Sequence, residues 1–292
     1  MSDSAPTAVV GDTTGYLPTE LTAELGVKLV SLYVSIGDQQ VRETEIDDYG
    51  AFFDCLRASE DGATTSQPSV GDFTATYEPL LAAGRDIVSV HLSTKISGTC
   101  EAAEQARERL IEGGKGGERI HVFDSRSAAG GMGLCLLAAA RAAAAGEDGD
   151  AVLARAQRAR EELKMWFAVD TLEYLRRGGR IGGAAAWIGS ALKIKPILTL
   201  EEEITPVERV RTRARALERL RDYARQRHAS GLDGWVVQHI QDPEAAATLA
   251  TECREIFGCE PAFVSEVGPV LGAHSGPGML GVGSVSREVL GL

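Results

Sequence analysis

Along most of the chain, short β-branched and aliphatic runs alternate with segments whose apolar positions recur every three or four residues. Those are the periods of strand and helix. Ala8 to Val10 reads as a strand entering the polar turn Gly11-Asp12-Thr13-Thr14, and Pro18 opens a helix over 19–26. A second strand is predicted over 27–36 and an acid-capped helix over 47–58. After a hydroxyl-rich turn come a helix over 71–83 ended by Gly84, a strand over 86–92 and a helix over 97–111. A strand over 119–123 and an Ala-rich helix over 127–145 follow. This βαβα rhythm predicts a mainly parallel sheet covered by helices.

The texture changes near Asp150. A charged helix over 151–163 leads to a strand over 166–170, the Gly-rich turn 176–179 and a small-residue helix over 181–192. The runs 195–200 and 204–211, around Glu201-Glu202-Glu203, form a predicted hairpin. A basic helix (213–227), a strand (235–240), a helix (243–257) and C-terminal strands complete the chain. A hairpin among alternating helices predicts a mixed-sheet α+β unit. The fold class is therefore α/β in two domains: residues 1–160 with a mainly parallel sheet, and residues 161–292 with a mixed one.

Two stretches, Thr64-Thr65-Ser66-Gln67-Pro68-Ser69 and Ser93-Thr94-Lys95-Ile96-Ser97-Gly98-Thr99, concentrate hydroxyls at turns that precede helices. Hydroxyls and helix-terminal amides together can hold a carboxylate or phosphate oxygen without a counter-charge. No acid, His or Cys inside either stretch can activate a nucleophile, so the pattern suits holding an anionic head group. Open α/β sheets bind ligands beyond the carboxyl ends of their strands, where Ser93 to Thr99, Asp12 to Thr14 and Asp124-Ser125 all fall.

Bulk properties narrow the reading. A net charge of −12 argues against nucleic acid and against an anionic membrane surface. No run is long enough to span a membrane, and no stable membrane insertion is expected. Five scattered cysteines without CxxC spacing argue against a disulfide framework or a zinc site and suit a reducing cytoplasm. No metal or cofactor is expected. The chain lacks a G-x-S-x-G elbow, a P-loop and a G-x-G-x-x-G after the first strand.

Seven ordered segments carry a family resemblance. They are Gly11 to Pro18, Thr65 to Ser69, Leu92 to Thr99, Phe123 to Ser127, Asp170-Thr171-Leu172-Glu173-Tyr174-Leu175-Arg176-Arg177-Gly178-Gly179-Arg180-Ile181, Lys195 to Leu198, and Glu266 to Gly278. In that order they resemble the motifs of the DegV family of bacterial fatty-acid-binding proteins, almost end to end. Tyr16, where the family usually has an acidic residue, and Ser275, where Val is common, depart from the pattern. The resemblance implies two α/β domains with a long-chain fatty acid buried between them or within one. It places the carboxylate on Thr65 and Ser97, helped by Ser66 and by Gly98 and Thr99. It also implies a carrier that is not catalytic alone. Such a carrier presents the carboxylate to a separate ATP-using kinase subunit, which makes acyl-phosphate for phospholipid synthesis. Arg211 and His274 match positions implicated in presentation.

Plainer readings stand beside these. Thr65 and Ser66 can cap the helix that follows, Ser97 can cap its own, and Asp12 can brace a turn. His274, between Gly272 and Gly276, reads as a loop residue, and His91 as core or surface. The alternative function is a self-contained hydrolase or phosphate-ligand enzyme, which needs Ser97 with His274 as its base.

Overall fold

The computed structural model describes residues 5–60, 62–188 and 194–292. β1 (Thr7–Asp12) leads through a 3-10 turn at Thr13–Gly15 to α1 (Thr19–Glu24), β2 (Lys28–Val30), β3 (Tyr33–Ile36) and β4 (Gln39–Arg42). A 3-10 turn at Glu43–Glu45 precedes α2 (Tyr49–Ala58), β5 (Thr64–Ser66), α3 (Val70–Ala82), β6 (Asp86–His91), α4 (Thr99–Glu112) and β7 (Ile120–Asp124). Then come α5 (Ala129–Ala144), α6 (Gly149–Glu162), β8 (Lys164–Ala168), α7 (Glu173–Arg177) and a 3-10 segment at Gly182–Trp187. The chain continues with β9 (Lys195–Leu200), β10 (Ile204–Val210), α8 (Arg213–Ala229), β11 (Gly234–His239), α9 (Pro243–Phe257), β12 (Phe263–Glu266), α10 (Pro269–Ser275) and β13 (Leu280–Val285).

One sheet, ordered β2-β1-β6-β7, is parallel throughout. The other, β10-β9-β8-β13-β11-β12, is mixed, with β11 and β12 its parallel pair. A small antiparallel sheet, β4-β3-β5, stands apart. The layers stack as helices, sheet, helices, sheet, helices. Phe73, Tyr77 and Leu110 of α3 and α4 pack on Val10 and Ile87 of the parallel sheet. Leu220, Tyr223, Leu249 and Phe257 of α8 and α9 pack on Ile197, Val237 and Val282 of the mixed sheet.

α5 lies between the sheets, which explains its composition. All its residues but Arg141 and Ala144 are buried, and a helix enclosed on every side needs small residues where backbones approach. A Cβ on Gly130 would lie 2.8 Å from Val236, and one on Gly133 2.7 Å from the Gly15 carbonyl. The largest apolar cluster joins Val9, Val88 and Val90 through α5 to Met165, Leu198 and Val285 of the mixed sheet.

Several boundaries differ from the sequence reading. The strand expected over 27–36 is two strands in two sheets, because the chain turns at Ser31 and Leu32. There the Leu32 carbonyl accepts from the Glu43 N–H at 2.9 Å, and Ser31 Oγ accepts from the Thr44 N–H at 3.3 Å. The first hydroxyl stretch is not only a turn, since Thr64–Ser66 forms β5 on the edge of the small sheet. The helix expected from Ser97 starts at Thr99. Of the helix expected over 181–192, Gly182–Trp187 is 3-10, and 189–192 lie outside the described residues. His274 lies on α10 and not in a loop.

Candidate functional site: an apolar cavity with a hydroxyl-lined end

Beyond the carboxyl end of β6 and the amino end of α5, a cavity opens against the inner face of the mixed sheet. It encloses about 860 Å³ of empty space, its open mouth included, yet only about 90 Å³ can hold the centre of a water molecule. The space is therefore narrow. Leu92, Ala128 and Ala129 line it from the parallel-sheet side. Met165, Phe167, Leu200 and Ile204 line it from the mixed sheet, and Val270, Leu271 and Met279 from α10 and the segment after it. Polar groups gather as Thr65, Ser66, Gln67, Ser97, Arg180, His274 and Ser275.

Local structure fixes each hydroxyl. β5 pairs Thr65 with Val34 of β3. Ser69 then caps α3 in a reciprocal box with Asp72, whose carboxylate also takes Arg42 at 2.6 Å and the Tyr33 hydroxyl at 3.1 Å. Thr65 and Ser66 are thereby released from capping. On the facing loop, Thr94 Oγ1 donates to Asp124 at 2.7 Å, and Ser97 Oγ lies 2.9 Å from Thr99 Oγ1. Gly98, not Ser97, holds the cap position of α4. A Cβ on Gly98 would stand 3.0 Å from the Gln67 amide nitrogen, so a glycine allows the two hydroxyl stretches to meet.

Thr65, Ser66, Ser97 and His274 thus share one wall. Gly98 and Thr99, also expected at the carboxylate, are not among the residues that line the cavity, and Thr99 is fully buried. Arg211 is exposed between β10 and α8 and does not line the cavity. Gln67 and Arg180 lie within the family-like segments Thr65 to Ser69 and Asp170 to Ile181, but only the fold brings their side chains to this space.

His274 Nε2 lies 2.7 Å from Thr65 Oγ1. Burial, and then the nearby Arg180 cation, lowers its pKa to about 4, so the ring is neutral at neutral pH. Its Nδ1 is buried with no hydrogen-bond partner among the described residues and lies so close to Gly178 that any Cβ there would overlap it. Arg180, the one charged residue among the described lining, donates to the carbonyls of Gly178 at 2.8 Å and Ile96 at 3.3 Å. It joins the facing loops across the polar end. Neutral oxygens, an imidazole and one committed guanidinium can orient a carboxyl group. His274 is bonded to Thr65 and Ser97 to Thr99, so Ser97 has no hydrogen-bonded base among the described residues.

A second polar chain lies deeper. Asp12 accepts from the Thr14 N–H at 2.9 Å, the Leu92 N–H at 3.1 Å and His91 Nδ1 at 3.0 Å. His91 Nε2 meets Ser89 Oγ at 2.7 Å, and Ser89 meets the Tyr77 hydroxyl at 2.7 Å. The order is that of a catalytic triad, but Asp12, Ser89 and His91 are fully buried and none lines the cavity. Through the Thr14 N–H Asp12 caps its own turn, the role that the sequence suggested, and through Leu92 and His91 it also ties the ends of β1 and β6 together. Among the described residues no group of three His, Cys, Asp or Glu is placed to hold a metal ion.

The DegV family model matches residues 6–287 of this chain. A DegV domain-containing protein of Streptomyces coelicolor is 41% identical over 285 residues, covering 96% of this chain and 98% of the relative. Among solved structures, a DegV family protein of Thermus thermophilus, described by its fatty-acid binding, superposes with a TM-score of 0.87 at 34% identity, over 96% of this chain and 99% of that one. DegV of Bacillus subtilis, described as a fatty acid binding protein, gives 0.85 at 31% identity, over 97% and 100%.

Proposed function

The chain belongs to the DegV family, and from that premise we propose that it binds a long-chain fatty acid in the cavity and presents the carboxylate to a separate ATP-dependent kinase subunit. The product is acyl-phosphate for phospholipid synthesis, and the carrier is not itself the catalyst. One observation carries this reading: a narrow apolar space ends at Thr65, Ser97 and a neutral His274. The fatty-acid binding described for the Thermus and Bacillus proteins supports its first part.

The energetics fit. Burying about 14 methylenes at ~0.8 kcal/mol each gives a gross gain on the order of 11 kcal/mol. Ordering the chain and losing translation offset several kcal/mol of that. The head-group contacts therefore set position more than affinity. Neutral donors also leave a carboxylate oxygen unencumbered for phosphorylation. In this reading Thr65, Ser97 and Ser66 hold the head group, and the amides of Gly98 and Thr99 support it. Arg211, exposed at the surface, meets the kinase subunit, while His274 contributes to presentation through the head group itself.

Denaturing extraction followed by mass spectrometry tests the binding. Protein purified from a bacterial host is expected to release near-stoichiometric fatty acid. The Thr65→Ala, Ser97→Ala double variant should fold but, after the same delipidating wash as the wild type, release less of it. Equal occupancy in the double variant overturns the head-group assignment.

A further inference from the structure

We infer that Glu43, together with Tyr16, is a positioning residue for the head-group end of the cavity, acting by clamping the amino end of α10. This deepens the fatty-acid reading and rests on it. Nothing in Arg42-Glu43-Thr44-Glu45 marks Glu43 as different from its acidic neighbour, yet Glu43 is 2% exposed while Glu45 is open to solvent. A carboxyl group is buried at high cost unless hydrogen bonds compensate.

Glu43 Oε1 accepts from the Tyr16 hydroxyl at 2.7 Å and from the Val270 N–H at 2.8 Å. The Tyr16 oxygen in turn accepts from the Leu271 N–H at 3.2 Å. Helix-start amides have no partner within their own helix, so side chains from the other half of the molecule hold the first turn of α10. Its last turn is held the same way, by the bond from His274 to Thr65. In that clamped first turn Val270 and Leu271 face the cavity, and Gly272 next to them lies against the Phe53 ring, where no Cβ fits. The approach at the amino end depends on Gly268, whose Cβ would stand 2.9 Å from Glu43 Oε1 and 2.8 Å from the Tyr49 hydroxyl.

α10 is short, about 10 Å at 1.5 Å per residue, so it moves as one rod. Freeing its first turn shifts the cavity wall and draws His274 away from Thr65. The clamp needs an acceptor oxygen rather than a charge. Among the described residues Glu43 Oε2 makes no well-formed hydrogen bond, and the Thr13 side chain stands beside the carboxyl, so a glutamine can keep the accepting oxygen and turn its NH2 away from Tyr16 and Val270.

The test uses the full chain, stripped of lipid and loaded with cis-parinaric acid, and its Glu43→Ala, Glu43→Gln and Tyr16→Phe variants. Probe dissociation is followed by stopped-flow fluorescence, and the His274 ring by 15N-edited NMR. Glu43→Ala is expected to speed dissociation several-fold, up to about tenfold, as the loss of a buried hydrogen bond does, and to shift the His274 ring signals. Glu43→Gln should restore most of both, and Tyr16→Phe should fall between. Unchanged dissociation and ring signals in Glu43→Ala overturn the clamp, as does a Glu43→Gln protein as impaired as the alanine variant. If Glu43→Ala does not fold, unchanged ring signals in Tyr16→Phe overturn it instead. A wild-type protein that fails to hold the probe counts against the fatty-acid reading alone, because the ring signals still test the clamp.

Discussion

At the scale of single residues, the head-group end is built, Arg180 apart, from side chains that stay neutral. For His274 this has a measurable cost. Folded, the ring resists protonation down to about 4, whereas in the unfolded chain it takes a proton near the ordinary value of about 6.5. Between those values the unfolded state binds more protons, so this contribution is complete above the upper value and is lost as the pH falls through the window. Chemical denaturation of the wild type and a His274→Asn variant checks this. The wild type should lose stability relative to the variant on acidification from pH 7 to 4, by on the order of 3 kcal/mol. Burial raises the Glu43 pKa, which acts with the opposite sign. Both proteins carry Glu43, so the difference between them isolates His274.

At the scale of elements, α10 brings His274, Val270 and Leu271 to the site and was the least legible part of the chain. Its apolar positions, Val270 and Leu271, are too few to show a period, and glycines at 268, 272, 276 and 278 read as loop. In the structure those glycines mark contact with large side chains: Phe53 against Gly272, Tyr174 against Gly276, Asp170 against Gly278. Gly272→Ala is thus a test of the seating of α10. Overpacking of this kind costs roughly 1–3 kcal/mol, and here the added methyl should also lift the helix, so thermal melting and fatty-acid retention should fall together. The parallel sheet, by contrast, was readable, because β1, β6 and β7 are bounded by turns and backed by periodic helices. The small sheet was not: β3, β4 and β5 are three or four residues each, too short for alternation to stand out. The motif residues of the two hydroxyl stretches were visible in sequence. Their meeting through Gln67 and Gly98, and the entry of His274 beside Thr65, are products of long-range packing that no local pattern encodes.

At the scale of the whole molecule, the cavity adjoins the apolar cluster that joins both sheets through α5. An alkyl chain lying there adds to that core and binds the folded state alone. At a free concentration one hundred times the dissociation constant, such a ligand stabilises by about 2.7 kcal/mol. Delipidated protein should therefore melt several degrees below protein resupplied with oleic acid, as calorimetry can establish; coincident transitions would refute binding to the native fold. The strand order of the mixed sheet has its own consequence. β13 lies between β8 and β11, yet it follows every other described strand in the chain. On the ribosome, β8 to β10 and β11 with β12 must wait as separate pieces until that last strand emerges and joins them. Met279 and α10, which line the cavity, emerge just ahead of it, so the cavity is walled only after that part of the chain has been translated.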